Sequence, residues 1–193
     1  MGLKKALTLC MFFMALASLA AAGRGWTEDR KQPFPSYGSG PVEVRLYTDY
    51  FCPPCRAMEP DVEKILKDLV KKNAIRLLLV DTPIYRYSPL YSRYFLYAVR
   101  QNNLLEHAFR VRDILIEAAI NKEMTTQERI EALFRERGIA YSVWDPKPVF
   151  DRYNALITED MIKATPSCVV IRNGQKKTFV GGPEIINALK DLT

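Results

Sequence analysis

Asp49-Tyr50-Phe51-Cys52-Pro53-Pro54-Cys55-Arg56 is the stretch on which the reading of this chain turns. Two cysteines flank two prolines, directly after Val42-Glu43-Val44-Arg45-Leu46-Tyr47, an alternating run that predicts a strand over 42–48. From Pro53 to Lys72 the apolar residues Met58, Val62, Ile65, Leu66 and Leu69 recur at helical spacing. The cysteines therefore stand where a strand hands over to a helix. The first helical turn has N–H groups without intrahelical partners, so proline loses little there and its fixed φ suits the helix. Pro53 and Pro54 stiffen the turn and bias the two sulfurs toward bridging distance.

Four chemistries use such a pair. A structural zinc site needs four ligands, and a catalytic one three plus water. This pair supplies two, the only histidine is His107 inside a helical pattern, and Cys168 belongs to no second pair. No metal is expected. Haem attachment requires histidine after the second cysteine, where Arg56 stands. A purely structural clip would close so short a loop that it constrains the unfolded chain little. A helix start, by contrast, points a sulfur at unpaired N–H groups and the positive end of the dipole, which favours the nucleophilic thiolate. The placement favours a reactive dithiol over a clip.

Working outward, Ile75 to Val80 is a short apolar run that predicts a buried strand, so the segment from 42 to 80 reads as a βαβ unit. Asp81-Thr82-Pro83 breaks the pattern, and helical character follows over about 84–163. Leu90 to Gln101, Leu104 to Asn121, Thr126 to Arg137 and a segment from about Pro146 to Ile162 are its helices. Tyr85, Tyr87, Tyr91, Tyr94 and Tyr97 make this block aromatic, either as packing against the sheet or as a substrate-facing rim. The chain then returns to strands, Ser167 to Arg172 and Lys176 to Val180, around Asn173-Gly174, a strong hairpin signal because both residues accept positive φ. Gly181-Gly182-Pro183 opens a last helix over 184–192.

The N-terminus stands apart. Lys4 and Lys5 precede an uncharged, mostly apolar run, Ala6 to Ala22, ending in three alanines. That pattern predicts a cleaved signal peptide over 1–22. Cleavage would remove Cys10, Lys4 and Lys5 and take the formal charge from +6 to +4. Residues 23–40 read as an extended arm, and 41–193 as one α/β domain carrying the helical insert. The 193 residues, 48% hydrophobic, are enough for a sizeable core. Lysines and arginines are scattered among acids, which argues against a nucleic-acid surface. No later segment reads as a membrane span.

The strand ending Tyr47-Thr48-Asp49, followed by Cys52-Pro53-Pro54-Cys55 and then Pro60 five residues beyond the second cysteine, resembles the thioredoxin superfamily. Ala164-Thr165-Pro166-Ser167, followed by Cys168-Val169-Val170, resembles its cis-proline loop and the strand after it. With helices between the two, the chain is similar to exported disulfide oxidoreductases of the DsbA type over about residues 42–192. The resemblance implies a thioredoxin fold with a helical insertion between the βαβ unit and the cis-proline ββα unit. It further implies that Cys52 is the exposed attacking thiol and Cys55 the recessed partner that resolves mixed disulfides. Pro166 should follow a cis bond, and the Thr165 backbone should pair with an extended client segment. Pro53 and Pro54 would tune the pair.

Two departures bear on the transfer. Many relatives carry a buried acid six residues before the first cysteine, where this chain has Leu46, and Asp49 has no evident role as a proton shuttle. The histidine that DsbA-type oxidants carry between their cysteines is absent. Cys168 matches no family role and is expected to be a buried core cysteine. The function expected is thiol–disulfide exchange with client proteins in the periplasm, with an unidentified redox partner and no cofactor beyond the cysteine pair. Two alternatives stay open. One is an isomerase or reductase of the DsbC or DsbG type, although the 23–40 arm is too short for their dimerisation domain. The other is a redox-sensitive chaperone or binding module that uses the tyrosine-rich block.

Overall fold

The computed structural model describes residues 34–121 and 125–193. The signal peptide expected at 1–22 and residues 23–33 of the arm lie outside them. In chain order the elements are β1 (Ser36–Tyr37), β2 (Val42–Thr48), α1 (Pro53–Lys71), β3 (Ile75–Asp81), α2 (Ser88–Gln101), α3 (Leu105–Ile120), α4 (Gln127–Glu136), α5 (Lys147–Glu159), β4 (Ser167–Arg172), β5 (Gln175–Val180) and α6 (Gly182–Lys190). The strands form one sheet in the order β1-β3-β2-β4-β5. β2 and β3 run parallel across α1, while β1, β4 and β5 pair antiparallel with their neighbours. Helices α2 to α5 stand between β3 and β4, so the fold is a thioredoxin fold carrying the helical insertion.

The central position of β2 follows from its side chains. Alternate residues of a strand face opposite sides of a sheet. Glu43, Arg45 and Tyr47 face one side, where the Tyr47 hydroxyl donates to Asp160 just after α5 and Arg45 Nη1 meets Asp160 at 3.0 Å. Val44, Leu46 and Thr48 face the other side, and Thr48 bonds Arg112 of α3 there. The second face is buried throughout, and the first is half-buried at Glu43 and Arg45 and closed at Tyr47. Leu46 lies opposite Cys168 of β4 in the register, and both are fully buried. The position of the missing acid is thus a dry hydrocarbon–thiol contact, which explains Cys168 as a core residue.

Helix α1 buries Cys55, Met58, Val62, Leu66 and Leu69 along one stripe. Each large aliphatic of that stripe contributes about 1.5–3 kcal/mol by leaving water. Pro60 sits inside the helix, where it removes the amide that would have bonded the Arg56 carbonyl. The hairpin turn has Asn173 at φ 52° and Gly174 at φ 75°, as the Asn-Gly pair predicts.

The arm differs from its expected form. Ser36 and Tyr37 pair with Leu78 and Leu77, and Pro35 accepts from the Leu79 N–H at 3.0 Å, so this segment closes one edge of the sheet. Gly40 turns the chain from β1 into β2 against the end of α1, with its N–H donating to Ile75 O at 3.1 Å. A Cβ at Gly40 would run into the backbone of Asn73, Ala74 and Ile75. Gly40→Ala should therefore lower folding stability by about 2–3 kcal/mol, read from the midpoint of urea unfolding.

Candidate functional site

Cys52 is the N-cap of α1, with φ −75° and ψ 115°, and Pro53 and Pro54 occupy the first two helical positions. Neither proline has an N–H. The first available donor is Cys55, whose N–H reaches the Cys52 sulfur at 3.4 Å. The same arrangement brings the two sulfurs together, 2.7 Å apart. Burial first, and then the adjoining Cys52 sulfur, hold the Cys55 thiol far above its ordinary titration range. Cys55 is therefore the member of the pair that burial holds as a thiol.

The loop after α5 closes over this pair. The Thr165–Pro166 peptide is cis, and the Cys52 thiol donates to the Thr165 carbonyl at 3.4 Å. Gly181 N–H anchors the loop by donating to Pro166 O at 3.0 Å. Cys52, Cys55, Thr165 and Pro166 thus meet in one place, although more than a hundred residues separate the two halves. Cys52 is not the exposed thiol expected from the sequence: it is 3% exposed, against 2% for Cys55. The chain that covers it comes from the distant Thr165 loop, which no local reading of the motif could supply. Pro53 and Pro54 do face solvent at the edge of the site.

Asp49 has a structural task. One carboxylate oxygen accepts from the Phe51 N–H at 2.8 Å and the other from the Ile84 N–H at 2.7 Å. It fixes the redox loop and ties it to the segment leaving β3. That segment carries Ile84, 58% exposed, and Tyr85, 45% exposed. Phe51 lies between Tyr85, Tyr87 and Tyr91, with ring centroids 6.4, 6.3 and 4.7 Å away. The tyrosine block therefore divides. Tyr91, Tyr94 and Tyr97 are buried in packing, whereas Tyr85 and the half-buried Tyr87 form an aromatic rim beside the cysteines.

Sequence reasoning missed a buried polar group beneath the site: Thr48, Tyr50, Glu59, Asp81 and Arg112. A signal existed. Glu59 interrupts the apolar stripe of α1 between Met58 and Val62, and Arg112 interrupts that of α3 between Val111 and Leu115. Burial raises Asp81 to about 6 despite Arg112 and the Tyr50 hydroxyl. Arg112 is the strongest of the influences that lower Asp81, and burial exceeds it. Burial also works against the Arg112 charge, but Glu59 and then Tyr50 and Asp81 outweigh it. Burial pushes the Cys168 thiol up to about 12, so it stays protonated and inert. Among the described residues, no group of three or more His, Cys, Asp or Glu is placed to hold a metal ion. Nor is any described helix long and apolar enough to cross a membrane.

A family model described as thioredoxin matches residues 37–177. The chain belongs to the thioredoxin family. Solved structures show how this family member is built. A periplasmic thioredoxin-like protein from Salmonella enterica serovar Typhimurium is similar at 18% identity and a TM-score of 0.62, with 82% of this chain and 87% of that one covered. The thiol-disulfide exchange protein alpha-DsbA2 from Wolbachia pipientis is similar at 19% identity and 0.63, covering 82% and 85%. The catalytic domain of Proteus mirabilis ScsC gives 18% and 0.61, covering 82% and 88%. At these identities the likeness is one of fold. No curated protein matches the chain.

Asp81 gives this thioredoxin-family chain a pH signature. A carboxyl raised by folding stabilises the native state fully below its unfolded pKa of ~3.9, and that contribution is lost as pH rises through about 6. Stability relative to an Asp81→Asn variant should therefore fall by about 2 kcal/mol between pH 4 and pH 7, measured by urea unfolding of both proteins.

Proposed function

We propose that this chain is an exported thiol–disulfide oxidoreductase that exchanges disulfides with client proteins through Cys52 and Cys55. The observation that carries the reading is the sulfur pair itself: Cys52 and Cys55 meet at a helix start, their sulfurs in direct contact and the Cys52 sulfur against the Thr165 carbonyl. The apolar leader at 1–22 supports export to the periplasm. Further support comes from the fold shared with a thiol-disulfide exchange protein.

In the oxidised form a client thiolate attacks Cys52 Sγ. The Cys52–Cys55 bond breaks, and the expelled Cys55 thiolate takes a proton in a site whose burial favours the thiol. A second client thiolate then attacks the client sulfur of the mixed disulfide and releases Cys52. Two electrons pass from client to protein, and the reverse sequence reduces a client disulfide. The aromatic rim of Phe51, Tyr85 and Tyr87 offers apolar contact to client side chains flanking the reacting cysteine, while Thr165 lies where an extended client backbone passes the sulfurs. An unidentified redox partner resets the pair, and no other cofactor is invoked.

Insulin reduction and oxidation of a reduced client protein test this directly. The natural chain should catalyse at least one. Cys52→Ser should abolish both, and Cys55→Ser should accumulate a client adduct on Cys52. Absence of both activities in the natural chain would leave a binding module in place of an exchange enzyme, and activity retained in Cys52→Ser would remove Cys52 from the exchange. The poise is a second test. Pro54 supplies neither an N–H nor a charge to a Cys52 thiolate, so the pair should be a weaker oxidant than a relative with histidine there. Pro54→His should make it more oxidising in glutathione titration, each tenfold change in equilibrium constant corresponding to ~30 mV.

A further inference from the structure

Arg112 belongs to α3, within the insert, yet its side chain is only 2% exposed and every bond it makes is to the thioredoxin core. Its Nε donates to Glu59 Oε1 at 2.7 Å, and Nη2 donates to Glu59 Oε2 at 3.2 Å and to Thr48 Oγ1 at 2.9 Å. Nη1 reaches Asp81 Oδ1 at 3.3 Å. The guanidinium lies 5.4 Å from the centre of the Tyr50 ring, and the Tyr50 hydroxyl donates to Asp81 Oδ2 at 3.0 Å.

The placement of these partners matters more than their number. Thr48 ends β2, and Tyr50 stands in the loop two residues before Cys52. Glu59 follows Cys55 by four residues and shares its buried face of α1. Asp81 ends β3, opposite Thr48 in the parallel register. One side chain therefore holds the strand before the cysteines, the loop between, and the helix after them. Only a planar fork with several donors can serve three acceptors in fixed directions at once; a lysine ammonium supplies a charge without that geometry.

We propose that Arg112 is a positioning residue for the redox pair: it sets the loop over 49–51 and the first turns of α1 so that the Cys52 sulfur sits against Cys55 and under the Thr165 carbonyl. The helical insert thereby controls the cysteine chemistry from beneath as well as flanking it. This rests on the exchange reading given above. The competing view is that Arg112 stabilises the fold and nothing more, since buried ion pairs often add little beyond the cost of breaking them.

The two views separate in a redox measurement. Removing Arg112 alone strands two buried carboxylates, so the informative variants are Arg112→Lys and the charge-balanced double variant Arg112→Met with Glu59→Met. Tyr50→Phe, which deletes a single hydroxyl, carries the same test should the double variant fail to fold. Each is taken through glutathione equilibrium, the pH profile of alkylation in the reduced state, and urea unfolding. A positioning role predicts at least a tenfold change in the glutathione equilibrium constant for the double variant, with a displaced alkylation profile. Lysine should restore this only partly, and Tyr50→Phe should shift the constant severalfold in the same direction. If stability falls while equilibrium constant and profile stay within twofold of the natural chain, the proposal is overturned. It is also overturned if Arg112→Lys matches the natural chain in both. A natural chain that fails to equilibrate with glutathione at all would instead defeat the exchange reading, and this proposal with it.

Discussion

A guanidinium cannot be left alone in a protein interior, and the burial of Arg112 dictates where four parts of this molecule meet. Its charge must be answered by acids and its donors by oxygens, because an unpaired buried charge is among the most destabilising features a core can hold. Glu59, Asp81 and Thr48 supply those groups, one from the redox helix and two from the ends of adjacent parallel strands. The ends of two interior strands, the redox helix and the insert are thereby locked in one arrangement. The cysteine pair lies in the chain between Tyr50 and Glu59, two members of that lock, so the chemistry depends on it.

Beyond the lock, control passes to backbone geometry. Two prolines at the start of α1 withdraw two potential donors, leaving the Cys55 N–H as the one that faces the Cys52 sulfur. Asp49 spends both carboxylate oxygens on loop amides and so serves as scaffold. The consequence is a division of labour between the sulfurs. Cys55 keeps its proton because it is buried against Cys52, while the Cys52 sulfur meets the Thr165 carbonyl. Cys168, buried opposite Leu46, takes no part.

Much of this was legible in the sequence because the signals were local. Alternation in Val42–Thr48, the apolar stripe of α1 and the Asn173-Gly174 turn each depend on neighbours a few residues away. The cis bond at Pro166 was legible only through family resemblance, since Thr-Pro by itself reads as an ordinary turn. What stayed hidden depends on distant contacts. Two residues of β1 carry no periodicity, and their pairing with Leu77 and Leu78 exists only once the sheet does. Cys52 reads as exposed until the Thr165 loop arrives from 113 residues away. Arg112 and Glu59 look like blemishes in two separate apolar stripes until α1 and α3 pack and show that each answers the other.

The central claim is that Cys52, though covered, is the sulfur that meets the client. Brief treatment of the reduced protein with iodoacetamide near pH 6, followed by peptide mapping, measures it most directly. Modification should appear first on the peptide containing Cys52, with Cys55 and Cys168 unlabelled over the same interval. Labelling of Cys168 or Cys55 ahead of Cys52 would contradict the assignment of roles within the pair.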